Sequence, residues 1–137
     1  MDVEQIEHEG KKLGYVLRGH LKERGRNFPS QEEDYLQLGF LNLKKGEWVL
    51  PHEHKPLERK VLETHKAVYV VSGSMKFHFF DNKKKIKEVK LNGGDLIVLM
   101  KGGFGFEALE DSTKIIEIKQ GPYPGLEKDK EKFSLEG

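Results

Sequence analysis

Two histidines, His52 and His54, stand one residue apart in the run Pro51-His52-Glu53-His54. On a β-strand, alternate side chains share a face, so both imidazoles would converge on one point. An imidazole titrates near neutrality and suits proton transfer. Two neutral imidazoles with a carboxylate also suit Fe, Mn, Ni or Zn. By itself the pair is equally consistent with two surface histidines. Glu58 and His65 are the nearby candidates to complete a metal site. Strand alternation should turn His65 away from the face that Lys66 occupies, unless a bulge intervenes.

These residues need strands to place them, and the chain reads as all-β, with no sustained helical period or internal repeat. Residues 3–8 and 13–17 flank Glu9-Gly10-Lys11-Lys12 and predict a hairpin. Residues 25–33 read as a loop broken at Pro29-Ser30, and residues 35–43 as a strand. Residues 44–47 predict a turn, and 48–50 lead into the histidines. Residues 67–71 are strand-like and turn at Ser72-Gly73-Ser74. Met75, Phe77 and Phe79 then alternate with Lys76 and His78, the period of a half-buried strand. Asp81-Asn82 followed by a lysine run predicts a solvated hairpin tip. Asn92-Gly93-Gly94-Asp95 is a tight turn before the apolar run 96–100, and residues 114–119 form the last strand. His8, His20 and His78 read as surface histidines. About eight to ten strands result, expected to close into one antiparallel barrel or jelly roll with room for a small ligand.

The chain of 137 residues fits one domain. A core over residues 36–119, an N-terminal hairpin over 1–20 and a charged tail over 126–137 are the expected parts. The tail reads as a short helix, a docking arm or disorder. The 24 basic and 23 acidic residues leave a net charge of +1, without the basic footprint of a nucleic-acid binder. The chain has no cysteine, which excludes disulfides, thiolate metal sites and a cysteine nucleophile. The N-terminus does not read as a signal peptide, and no apolar run is long enough for a membrane helix. The expected location is the cytoplasm.

Gly46, His52, His54 and Glu58 have the spacing that opens the first cupin motif, and the chain resembles the cupins from there on. "HKAVYVVSGSMKFHFFD" looks like the strand-turn-strand completing that motif, and "LNGGDLIVLMKGGFGFE" resembles the second. The resemblance spans about residues 36–119 and implies a small cupin double-stranded β-helix, as in single-domain bacterial cupins. It departs from the family's metal pattern twice. Lys66 stands where a ligand glutamate is usual, and Phe104 or Gly105 where a histidine is usual. A lysine there would repel a metal ion. The cofactor expectation is therefore none, or one divalent metal on His52, His54 and either Glu58, His65 or Glu107.

"HEHK" followed by "THKAVYVVSGS" is similar to the sugar-nucleotide 3,4-ketoisomerase branch. That implies an isomerase or epimerase with His52 and His54 carrying protons, and Lys66 or Arg59 stabilising an enolate or holding a phosphate. A metal-dependent isomerase or dioxygenase and a non-catalytic binding cupin are the alternatives. A pocket holding Phe104, Phe106, the histidines and Lys66, with Arg59 and Glu107 as further contacts, would take a small sugar-like or anionic ligand. Glu117 and Lys119 face water in an ordinary sheet. They would join the pocket if the barrel packs its outer face on a partner, as in the homodimer the resemblance implies.

Overall fold

A computed structural model describes residues 2–135. The strands are β1 (Val3–His8), β2 (Lys11–Leu17), β3 (Gly25–Asn27), β4 (Phe40–Asn42) and β5 (Lys66–Ser72). They continue as β6 (Ser74–Asp81), β7 (Lys84–Asn92), β8 (Leu96–Leu99), β9 (Gly103–Ala108) and β10 (Lys114–Lys119), before one short helix, α1 (Leu126–Asp129). All pairings are antiparallel. The architecture is thus all-β, and no helix among the described residues is long and apolar enough to cross a membrane.

The strands do not close into one barrel. They form a five-stranded sheet in the order β1-β2-β8-β5-β10, a three-stranded sheet in the order β7-β6-β9, and the small β3-β4 pair. From β5 onward the chain passes back and forth between the two larger sheets, with β6 and β7 as a hairpin within the smaller one. Gly73 makes the first crossing at φ 87°, where an added Cβ would lie 2.4 Å from Thr113 Oγ1. Only glycine suits that bend. Asn82 and Lys83 turn β6 into β7 at positive φ, as the turn signal predicted.

The core lies between the sheets. Val16, Val68, Val70 and Ile97 of the larger sheet meet Phe77, Phe79, Val89 and Leu91 of the smaller. The expected alternation of β6 is half of what occurs, since His78 and Phe80 on its other face are buried too.

The strand expected over 35–43 shortens to β4. Gln37 Nε2 donates to the carbonyls of Gln31 and Asp34, each at 2.8 Å, and Leu38 N donates to Ser30 Oγ at 2.9 Å. These local bonds use groups a ladder would need. The resulting loop covers part of the larger sheet's outer face. Leu36 and Leu38 pack on Tyr15, Ala67 and Val98.

Beneath that loop Tyr15 is 1% exposed and its hydroxyl has no hydrogen-bond partner. Burial, helped by the Asp34 charge, pushes its pKa up to about 12. The unfolded phenol ionises near 10. Stability from this group is complete below that pH and is lost as pH rises through 12. Denaturant midpoints should therefore fall over this window in the native chain and fall less in Tyr15→Phe. Equal falls in both would assign the alkaline loss to other groups.

Candidate functional site

β5 and β10 pair with Val70 opposite Ile115, Val68 opposite Glu117, and Lys66 opposite Lys119. Alternation puts these six side chains on the inner face, which runs from apolar to charged along the strands. From the facing sheet, β9 pairs Phe104 with Phe79 and Phe106 with Phe77 of β6, so both phenylalanines also point inward. Between the edges β9 and β10 lies a cavity of about 720 Å³ lined by Lys66, Phe104, Phe106, Glu117 and Lys119. Five of the expected binding residues thus meet at one place.

The Lys66 ammonium donates to Glu117 Oε1 at 3.2 Å and sits 5.3 Å over the Phe104 ring. Only 13% of its side chain is exposed. The Phe104 and Phe106 rings are near-parallel, 7° apart with centroids at 6.5 Å, and Phe106 stacks on the core ring of Phe77 at 4.9 Å. A flat ligand face would find preorganised aromatic surface next to a lysine. Lys119 Nζ donates to Asp129 Oδ2 at 3.0 Å and lies 5.0 Å over the Tyr123 ring.

Glu117 and Lys119 do not have the water-facing orientation of an ordinary sheet. They turn into the cavity, and Ile116 and Ile118 are each 53% exposed on the outer face. The inner face beyond Val68 has room for charge, because it borders the cavity. The tail supplies a further wall, including Asp129, Glu131 and Phe133. Phe133 was the one aromatic in a charged stretch, a signal that the tail docks.

The remaining expected site residues lie elsewhere. Glu107 alternates with Phe106 and therefore faces outward, beside His78 Nε2 at 3.4 Å. His78 is not a surface histidine. It is 9% exposed and lies between Glu107 and Glu88, whose Oε1 is 3.5 Å from its Nδ1. Arg59 lines an adjoining hollow of about 360 Å³, and Thr64 and Asp129 border both spaces.

His52 and His54 sit outside the cavity wall. Residues 43–64 form no helix or strand, so the strand expected to carry the pair is absent. Pro51 and Pro56 lack the N–H a ladder needs. The two rings meet edge-on at 5.3 Å, and His52 Nδ1 donates to the Leu50 carbonyl at 2.7 Å. Both histidines and Glu58 are exposed on this arm.

His65 is buried, its ring tilted on Tyr35 at 5.0 Å. Burial, with a smaller contribution from Lys101, lowers its pKa against the opposing pull of Glu63 and Asp34. Among the described residues, the group with three possible ligand atoms within 4.8 Å is instead His8, Glu9 and Asp81. There Asp81 receives His8 Nδ1 at 2.9 Å and Lys11 Nζ at 3.1 Å, and those two bonds hold its carboxyl below the usual range. The lysine already balances that carboxylate, and the cluster ties two hairpin turns together.

No family model, no curated protein and no solved structure matches this chain.

Proposed function

We propose that this chain is a small cupin-like ligand-binding protein whose inter-sheet cavity takes a small organic anion with a flat or sugar-like body. The observation that carries the proposal is the cavity's charge and ring arrangement. Lys66 stands between Glu117 and the Phe104 ring, in a wall that holds five lysines against three carboxylates. The surplus of cations selects an anionic group, and the paired phenylalanines favour a flat partner. The two facing antiparallel sheets, with the chain crossing between them from β5 to β10, support the cupin-like description.

Isomerisation through His52 and His54 would need the exposed arm to reach the cavity. A metal on the same pair would need a carboxylate brought to them. Binding without catalysis needs neither movement and is the reading the geometry supports best.

Titration with 8-anilinonaphthalene-1-sulfonate, a flat aromatic anion that fluoresces when buried, tests the proposal. A charged hydrogen bond contributes about 1.5–3 kcal/mol. Lys66→Met should therefore weaken binding by roughly 10- to 100-fold, and added salt should weaken binding to the native chain. Unchanged affinity in Lys66→Met would sink the proposal.

The proposal extends to a homodimer through the larger sheet's outer face. Tyr69 and Ile116 are register partners there, and Val71 and Ile118 add exposed apolar surface. Sedimentation at working concentration should give a dimer; monomer alone would refute this part.

A further inference from the structure

The segment of residues 126–135 has little packing of its own. α1 is four residues long and buries none of them, and so short a helix is not self-supporting. Among the described residues, three side-chain contacts hold the segment down. Glu131 accepts from Lys83 Nζ at 2.8 Å, with both side chains more than half exposed, so that pair contributes little. The Phe133 ring meets Phe80 edge-on at 5.1 Å. It lies over Gly103, where an added Cβ would sit 2.6 Å from the ring. The third contact is Asp129 on Lys119. The Asp129 side chain is 8% exposed, although its segment lies on the surface.

That third contact bears directly on the proposed ligand. Three lysines of the cavity wall are held by carboxylates, and of these the Lys83–Glu131 pair is the most exposed. Glu117, which holds Lys66, is built into β10 and cannot leave without breaking the sheet. Asp129, which holds Lys119, belongs to a segment that can leave. We infer that residues 126–135 form a strap whose Asp129 carboxylate occupies the anion subsite at Lys119, in competition with the ligand's own carboxylate, sulfonate or phosphate. The inference rests on the anion-binding reading of the cavity.

Asp129 also borders the hollow that Arg59 lines. Its withdrawal joins the two spaces and lets Arg59 meet the incoming group. A guanidinium binds carboxylate or phosphate through two parallel hydrogen bonds, which a lysine cannot do. The ligand class is thereby narrowed to one whose anionic group is planar or tetrahedral with at least two free oxygens.

An internal competitor lowers apparent affinity by the fraction of molecules in which the subsite is free. A strap closed in nine molecules of ten would weaken binding about tenfold. The test is 8-anilinonaphthalene-1-sulfonate titration of the full chain at low salt. Asp129→Asn removes the competing charge, and Phe133→Ala loosens the anchor, losing one ring of the cavity wall but leaving Lys119 and Asp129 unchanged. Each should tighten binding about three- to tenfold. Lys119→Met should weaken binding and make Asp129→Asn silent in the double variant.

Equal or weaker binding in both Asp129→Asn and Phe133→Ala would make the strap a fixed wall and overturn the inference. The anion reading would survive that result as long as the native chain binds and Lys66→Met does not. If Asp129→Asn fails to fold, Phe133→Ala alone decides by the same sign. Absence of binding to the folded native chain would remove both the reading and the strap.

Discussion

Replacing Phe77 with alanine is expected to cost about 3–5 kcal/mol of stability, the usual range for a buried phenylalanine. Phe77 is fully buried in the cluster that joins the two sheets. A small domain holds only about 5–15 kcal/mol in total. The melting temperature should fall by roughly 10–20 °C.

The same substitution reaches the cavity. Phe106 stacks on Phe77 and Phe104 lies parallel to Phe106. Removing the inner ring frees Phe106 to drop into the space, taking the flat cavity wall with it. The temperature at which near-ultraviolet circular dichroism melts checks the first part, and anion titration well below the melting point checks the second. A fall of less than about 3 °C would mean that Phe77 does not pin the sheets together. Unchanged anion affinity in the folded variant would separate the aromatic wall from binding.

Asp95→Ala should have the second-largest effect, a loss of about 2–4 kcal/mol. Asp95 is 7% exposed. Its carboxylate accepts from Gly19 N at 2.8 Å, Asn92 N at 2.9 Å and Arg18 Nη1 at 3.1 Å. It therefore closes the turn before β8 and ties that turn to the end of β2. Truncation removes the acceptor from two backbone N–H groups and from a guanidinium. Arg18 keeps its two bonds to Glu4, so the cost falls chiefly on the orphaned backbone donors, which are costlier than the bond itself is worth.

Asp95→Asn keeps an acceptor oxygen and discards the charge. It should fall between the native chain and Asp95→Ala in chemical denaturation. If the alanine variant denatures within about 0.5 kcal/mol of the native chain, the turn is held by its backbone bonds alone.

The turn at Asp95 was legible in the sequence because its signal is local. Gly93-Gly94-Asp95 supplies the backbone freedom and the acceptor within the turn itself. The hairpins β1-β2 and β6-β7 were legible for the same reason. So were the inward phenylalanines of β6, since a period of two needs no knowledge of the partner strand. The cupin resemblance put Lys66, Phe104, Phe106 and the two histidines in one pocket, and the cavity lining contains the first three without the histidines.

Other expectations depended on contacts distant in sequence, and there the structure decided. Which face of β10 is inside cannot be read from Ile116-Glu117-Ile118-Lys119 alone. Both assignments alternate correctly, and pairing with β5 selects the one that turns the charges inward. Glu107 faces outward for the same reason, fixed by the register of β9 on β6. His52 and His54 looked convergent only on the premise of a strand, and residues 43–64 do not supply one.

The tail was the least legible part. Its role depends on where Lys83, Lys119 and Phe80 sit in space, and they come from two separated stretches of chain, the β6–β7 hairpin and the end of β10. Turn chemistry and alternation act over a few residues, so the amino-acid sequence alone determines an all-β antiparallel chain with its hairpins and turns. The choice of inner face, the open side between β9 and β10, and the strap across it are set by long-range pairing. No short window of sequence contains both partners of those contacts.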